Sequence, residues 1–110
     1  LLDRLFYSSR FDKRMKVGAS VVVARRGGCS STFDQLNKYL GISQMPIISS
    51  FYWNMIHGNT PEEVMQDEEG LDTMHQLGKN MAYFLKCIEA GREKGLTIDD
   101  VPKRRTNFIR

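Results

Sequence analysis

The stretch Val17-Gly-Ala-Ser-Val-Val-Val-Ala-Arg-Arg-Gly-Gly-Cys-Ser-Ser-Thr32 decides the fold of this chain. It contains a continuous apolar run from Val21 to Ala24, in which polar and apolar residues do not alternate. An uninterrupted run of this kind is typical of a strand that is buried on both faces, as in a parallel sheet covered by helices. We therefore predict a strand over Val17–Ala24 in an α/β protein.

A glycine-containing loop, Arg25–Ser31, follows the predicted strand, and a helix follows the loop. In open α/β sheets, ligands bind at the carboxyl ends of the strands, in loops of this kind. Glycines let the backbone approach a ligand closely, and their amides can face an electron-rich edge. The loop is therefore predicted to form the rim of a cofactor site. The helix is predicted over Thr32–Leu40, with Ser31 or Thr32 as its cap and Gly41 closing its C-terminal end.

Two further elements are predicted from apolar patterns. Leu1–Ser9 has apolar residues on one face and is predicted to be the back half of an amphipathic helix. Ile47–Phe51 is predicted to be a second strand, because Pro46 is tolerated at the start of a strand but not inside one. A loop over Asn54–Asn59 is expected at the carboxyl end of this strand.

The C-terminal half begins with a strong helix signal, a threonine cap at Thr60 followed by proline at the first helical position. We expect a short helix, a break near residues 66–70, and a main helix from about Leu71 to Ala90. Gly78, within the main helix, is expected to pack closely against the sheet. The apolar stripe of this helix is predicted to lie in the core: Leu71, Met74, Leu77, Met81, Phe84, Leu85 and Ile88.

Composition excludes several classes of protein. The 110 residues are enough for one domain, no apolar run reaches the length of about 20 residues that spans a membrane, and no signal-peptide pattern is present. The two cysteines, Cys29 and Cys87, form no Cys-x-x-Cys pair, so the sequence carries no zinc or iron–sulfur signature. A reducing cytoplasm is the expected location. The net charge of +3 and the basic run Lys103-Arg104-Arg105 are a weak indication of nucleic-acid binding, and no nucleic-acid partner is expected.

The order of elements, α-β-α-β-α, contains only two strands. Two parallel strands do not make a stable independent sheet. The chain also opens at Leu1, in a helical pattern with no cap before it. We therefore expect this sequence to be the C-terminal part of a longer protein, whose N-terminal half supplies the other strands.

Several stretches, in this order, resemble the C-terminal half of the flavodoxin-like NAD(P)H-dependent FMN reductase family. The resemblance covers nearly the whole chain and rests on these motifs: Leu1-Leu2-Asp3-Arg4, Val21-Val-Val-Ala-Arg-Arg-Gly-Gly28, Tyr52-Trp-Asn-Met-Ile-His-Gly58, Asp67-Glu-Glu-Gly-Leu71, Leu77-Gly-Lys-Asn-Met81 and Thr106-Asn-Phe-Ile-Arg110. It implies a flavodoxin-like three-layer α/β/α domain with a five-stranded parallel sheet. Residues 1–95 would be the C-terminal portion of that domain and residues 96–110 an extended tail.

The resemblance also implies FMN at the carboxyl edge of the sheet, flanked by the loop after the first strand of this chain. The cofactor-binding residues would be Ala24, Arg25, Arg26, Gly27, Gly28 and Cys29. Backbone amides of the two glycines would tune the flavin, and an arginine would place positive charge near the flavin or a nucleotide phosphate. For the glycines the alternative is a plain tight turn, and for the arginines it is a pair of solvated charges. For Cys29 the alternatives are a small residue without a special role or a reactive thiol.

A second group of candidates follows the predicted second strand. Trp53, Asn54 and His57 are expected on the same edge of the sheet as the glycine loop, where they would line the substrate pocket. His57 would hydrogen-bond or protonate a bound acceptor. The alternatives are a subunit interface or a core position for Trp53 and a loop-capping role for His57.

The function expected from the resemblance is that of an FMN-binding oxidoreductase that uses NAD(P)H. Hydride would pass from the nicotinamide to flavin N5 and on to a small-molecule acceptor such as a quinone or free flavin. No catalytic acid–base residue and no metal site are predicted, and a homodimer or homotetramer is expected, with Phe108 and Ile109 of the tail available to a neighbour. The alternative is a flavodoxin-type or iron–sulfur flavoprotein electron carrier that passes electrons to protein partners.

Overall fold

The structure, a computed structural model, describes residues 1–108 of the chain. It is a mixed α/β fold with two short parallel strands. In chain order, its elements are a π-helical turn Arg4–Ser8, β1 Val22–Ala24, α1 Cys29–Ile42, β2 Met55–His57, α2 Pro61–Val64 and α3 Glu68–Glu93. The last two residues of the Thr106–Arg110 motif lie outside the described residues.

Strand β1 is shorter and less covered than predicted. It pairs in parallel with β2, with Val22 opposite Met55 and Val23 opposite Ile56. Val23 and Ile56 therefore share a face, on which Ile56 is buried while Val23 is 58% exposed. The prediction of a strand over Val17–Ala24 buried on both faces is wrong, because β1 spans only Val22–Ala24 and residues 1–108 leave Val23 exposed.

The second strand lies later in the chain than predicted. Ile47 makes a single isolated bridge with Gly18, whose carbonyl accepts the N–H of Ile48 at 2.9 Å. Four positions separate Gly18 from Val22 on the first segment, but eight separate Ile47 from Met55 on the second. The prediction of a strand over Ile47–Phe51 is therefore wrong, and β2 forms in the predicted loop Asn54–Asn59.

Between its two pairing points, the second segment has four more residues than the first, and these extra residues lie outside the sheet. Ser49 and Ser50, within this stretch, bond to α3 instead. Asn80 donates its side-chain amide to the carbonyl of Ser49 at 2.8 Å, and the hydroxyl of Ser50 donates to the carbonyl of Thr73 at 2.8 Å. These groups anchor the segment on α3. Strand pairing resumes only at Met55, after these two residues.

Helix α1 begins earlier than predicted. Its first residue is Cys29, and its N-cap is Gly28, whose φ of +91° is one that glycine adopts without strain. The predicted caps Ser31 and Thr32 lie within the first turn, where the hydroxyl of Ser31 donates to the carbonyl of Gly28 at 3.1 Å. The glycine turn therefore starts the helix itself, and the loop is shorter than predicted.

The C-terminal end of α1 is closed by glutamine rather than by Gly41. Gly41 lies inside the helix, and Gln44 takes the left-handed conformation with a φ of +57°. The N–H of Met45 donates to the carbonyl of Leu40 and that of Gln44 to the carbonyl of Gly41, both at 3.1 Å. This is a Schellman motif in which glutamine, not glycine, takes the left-handed conformation. The prediction that Gly41 closes the helix is therefore wrong.

The start of the C-terminal helices follows the prediction. The hydroxyl of Thr60 accepts the N–H of Glu63 at 3.3 Å and caps α2, which has Pro61 as its first residue. The break falls at residues 65–67, and Asp67 caps α3 by accepting the N–H of Gly70 at 3.0 Å. The short helix, break and long helix are therefore confirmed, although α3 extends further at both ends than predicted.

The apolar stripe of α3 is only partly covered. Leu77 is buried, as predicted, but Phe84 and Leu85 are about half exposed, so the prediction that they lie in the core is wrong for the described chain. The radius of gyration is 17.4 Å, well above the value of about 13 Å typical of a compact domain of this length. Phe84 and Leu85 of α3 are thus only partly covered by other elements within residues 1–108.

Glycines at two positions of α3 have different surroundings. A Cβ placed on Gly70 would lie 2.6 Å from Cγ1 of Ile56, whereas one placed on Gly78 would meet nothing within 4 Å. Close packing against the sheet therefore occurs at Gly70, and its prediction at Gly78 is wrong.

We expect Gly78→Ala to raise the free energy of unfolding by about 1 kcal/mol, because alanine loses less backbone entropy than glycine in a helix. Gly70→Ala is the matched variant, and it should lower the free energy of unfolding by about 1–3 kcal/mol through overpacking. Urea unfolding followed by circular dichroism measures both changes. Destabilisation by Gly78→Ala would show that this face of α3 is covered in the folded protein.

The tail contacts the segment that precedes β1. Arg14 forms ion pairs with Asp12 at 2.8 Å and with Asp100 at 2.5 Å. Hydrogen bonds from Arg14 hold the pKa of Asp12 at about 2. Residues 96–108 form neither helix nor strand, as predicted. Contact of the tail with a neighbouring subunit stays a prediction, and Ile109 lies outside the described residues.

None of the helices within residues 1–108 combines the length and the hydropathy that a membrane crossing requires.

Candidate functional site

The glycine loop, Arg25–Gly28, lies at the carboxyl end of β1 and beside the carboxyl end of β2. Ala24, the last residue of β1, is opposite His57, the last residue of β2. The carbonyl of Ala24 also accepts the N–H of Gly58 at 3.3 Å. The two strands therefore end at the same edge, which is the edge where ligands bind in open parallel sheets.

The loop is open to a ligand. All four residues of Arg25–Gly28 are exposed. A Cβ placed on Gly27 or Gly28 would meet nothing within 4 Å, so no side chain of the described chain covers this backbone. The backbone at Gly27 and Gly28 is therefore accessible to a ligand, and the same exposed loop carries Arg25 and Arg26.

Cys29 and His57 meet at this edge. Cys29 is the first residue of α1 and is 4% exposed. Its Sγ lies 3.8 Å from Nε2 of His57, within hydrogen-bond distance for sulfur. The imidazole is 44% exposed, so it is the solvent-facing member of the pair. The sequence identified both residues as candidates but did not predict that they contact one another.

Asp67 holds His57 in place and was not among the predicted site residues. Its Oδ2 accepts the backbone N–H of His57 at 2.7 Å and lies 3.8 Å from Nδ1 of the imidazole. Hydrogen bonds from the N–H groups of Gly70 and His57 hold the pKa of Asp67 below its usual value. The sequence offered only a local signal for Asp67, since an aspartate directly before two glutamates is typical of a helix N-cap. This signal does not indicate a bond to His57.

The predicted pocket residues do not lie together. Trp53 and Asn54 precede β2, whereas His57 ends it, so the first two stand at the amino end of the strand. Trp53 is 54% exposed, with its ring centroid 5.1 Å from that of Tyr52, and does not lie in the core. Asn54 is buried and donates its amide to the carbonyl of Ser20 at 3.0 Å, so it joins the two segments of the sheet. The expectation that all three share the edge of the glycine loop is wrong.

A cavity of about 210 Å³ lies next to the imidazole of His57. Residues of β2, of the first turns of α3 and of the segments just before them line it: Tyr52, Met55, His57, Asp67, Glu69, Gly70 and Thr73. Among residues 1–108, no group of three or more histidine, cysteine, aspartate or glutamate side chains is placed to hold a metal ion.

Comparison with known proteins gives one informative similarity. No protein-family model matches the chain. No solved structure matches it either. Among curated proteins, the chain is 31% identical over 86 residues to an iron–sulfur flavoprotein of Methanocaldococcus jannaschii. The similarity covers 72% of this chain and 45% of the relative, so the chain spans less than half the length of that protein. The two proteins are distant homologues.

Proposed function

We propose that the chain contributes the C-terminal part of a flavodoxin-like domain that binds FMN and acts as an NAD(P)H-dependent oxidoreductase. The observation that carries the proposal is the open glycine loop, Arg25–Gly28, at the shared carboxyl edge of two parallel strands. The distant homology to a protein named as a flavoprotein supports flavin as the ligand.

The loop residues have separate roles in this proposal. The backbone amides of Gly27 and Gly28 would contact the isoalloxazine, with Ala24 and Cys29 at the two ends of the loop. Arg25 and Arg26 would hold negative charge on the flavin or on the phosphates of the nucleotide, because a guanidinium binds such groups bidentately. The chemistry that FMN would supply when bound is to accept hydride from a nicotinamide and to pass electrons to a small acceptor.

The acceptor is proposed to bind beside His57. This imidazole is a half-exposed polar side chain at the carboxyl edge, and His57 borders the 210 Å³ cavity. Trp53 and Asn54 stand at the amino end of β2 and so are not placed beside His57; a role for them in binding the acceptor stays a prediction. A homodimer or homotetramer is also proposed, and the half-exposed apolar residues of α3 support it.

The test measures FMN binding by the purified protein, with visible absorption and quenching of flavin fluorescence as the readouts. We expect a flavin spectrum that NAD(P)H bleaches. Replacing Arg25 and Arg26 by alanine should weaken FMN binding about tenfold, which corresponds to roughly 1.4 kcal/mol. Arg10→Ala, which removes an exposed arginine outside the loop, is the control and should leave the affinity unchanged. A purified protein that takes up no added FMN contradicts the proposal.

A second candidate function is that of a flavodoxin-type or iron–sulfur flavoprotein electron carrier. The name of the relative favours it. Sustained NAD(P)H oxidation with a small quinone as the only acceptor would distinguish the reductase from a carrier. Flavin reduction that turns over only when a protein acceptor is added would favour the carrier.

A further inference from the structure

A thiol and an imidazole are brought together by the parallel pairing of the strands. Ala24 is opposite His57, and only the four residues of the glycine loop separate Ala24 from Cys29. The chain therefore returns the first residue of α1 to the end of β2, where Sγ lies 3.8 Å from Nε2 of His57. Asp67 fixes the backbone of His57 through a hydrogen bond of 2.7 Å.

Two features of the setting of Cys29, which is itself buried, favour ionisation of its thiol. An imidazole nitrogen within reach of a thiol can accept its proton, and the free amides of the first turn of a helix attract the resulting negative charge. Cys29 has both neighbours, a histidine at its Sγ and the first turn of the 14-residue helix α1. The NAD(P)H–flavin reaction proposed above uses neither the thiol nor its proton.

The other cysteine provides a contrast within the same chain. Cys87 lies on α3 and is exposed, whereas Cys29 is buried. A hydrogen bond with the thiol of Cys87 raises the pKa of Tyr83, and a neutral phenol is a much weaker proton acceptor than an imidazole. If accessibility alone decided reactivity, Cys87 would react faster than Cys29.

We propose that Cys29 is a nucleophilic thiol that exchanges with small disulfides, with His57 as its proton acceptor. His57 takes the proton from Sγ, and the thiolate attacks one sulfur of the disulfide. The S–S bond of the reagent breaks, a new S–S bond joins Cys29 to one half of it, and the other half leaves as a thiolate that receives the proton from His57. No net oxidant or reductant is consumed besides the disulfide. The proposal does not rest on flavin binding.

The first experiment measures the exchange of each cysteine with 4,4′-dithiodipyridine, from the absorbance of the released thiopyridone. Cys87→Ser isolates Cys29, and Cys29→Ser isolates Cys87. We expect one equivalent of product from Cys29, confirmed by intact mass, at a rate at least about tenfold higher than that of Cys87. A slower reaction at Cys29 than at Cys87 would overturn the proposal.

The second experiment tests the proton acceptor in the Cys87→Ser protein. His57→Ala is expected to lower the exchange rate of Cys29 about tenfold or more, and added free imidazole should restore part of the rate, because the site of His57 is half open to solvent. A structural effect of the substitution would not be reversed by imidazole. His75→Ala, which removes an exposed histidine of α3, is the matched control and should leave the rate unchanged. A folded His57→Ala protein with an unchanged rate would also overturn the proposal.

Discussion

Asp67→Ala is expected to lower the free energy of unfolding by about 2.5–4 kcal/mol. The loss of an N-cap costs about 1 kcal/mol, and the loss of a hydrogen bond to a charged group costs a further 1.5–3 kcal/mol, roughly. Both bonds converge on this carboxylate, which accepts the N–H of Gly70 at 3.0 Å and that of His57 at 2.7 Å. The side chain is 23% exposed, so water replaces these bonds only in part.

The same effect should depend on pH. The folded pKa of Asp67 lies below its usual value of 3.8, so the carboxylate stabilises the fold fully above the pKa of the unfolded chain and loses this contribution as pH falls through the folded pKa. The difference in stability between the native protein and Asp67→Ala should therefore be largest near neutral pH and shrink below about pH 4. Urea unfolding at several pH values measures it.

Asp72→Ala is the control for Asp67, because it removes an exposed carboxylate from the same helix. Its effect should lie within about 0.5 kcal/mol, as for most surface substitutions. Equal effects of the two substitutions would contradict the role of Asp67 in joining α3 to β2.

Gly58→Ala is expected to destabilise the protein by about 3 kcal/mol or more, the upper end of the range for overpacking. A Cβ on Gly58 would lie 2.5 Å from the backbone nitrogen of Val64 and 2.9 Å from its Cα. Backbone atoms cannot rotate away, so α2 would have to shift as a whole. Because the N–H of Gly58 donates to the carbonyl of Ala24, that shift would also strain the shared edge of the strands.

Thermal and urea unfolding measure this change, with Gly41→Ala as the matched control. A Cβ on Gly41 would meet nothing within 4 Å, and the residue lies inside α1. This substitution should therefore be neutral or stabilising by up to about 1 kcal/mol. An unfolding midpoint for Gly58→Ala equal to that of the native protein would mean that α2 is free to move.

Much of the candidate site could be placed from sequence, because the glycine loop follows an apolar run directly. Cys29 and His57 were separate candidates, and no local pattern connects two residues that are 28 positions apart. Their contact depends on the register in which Ala24 is opposite His57, and register is a property of two strands together. Asp67 was missed for the same reason, since its bond to His57 joins two elements.

The sequence by itself determined the helix start at Thr60, the break before α3 and the position of the glycine loop. These features depend on caps and turns, whose interactions span only three or four residues. Only the tertiary structure decided that β2 is Met55–His57 rather than Ile47–Phe51, because Ser49 and Ser50 bond to α3 and leave the sheet. A strand is defined by its hydrogen bonds to a distant segment, so its apolar residues indicate a strand without identifying its partner.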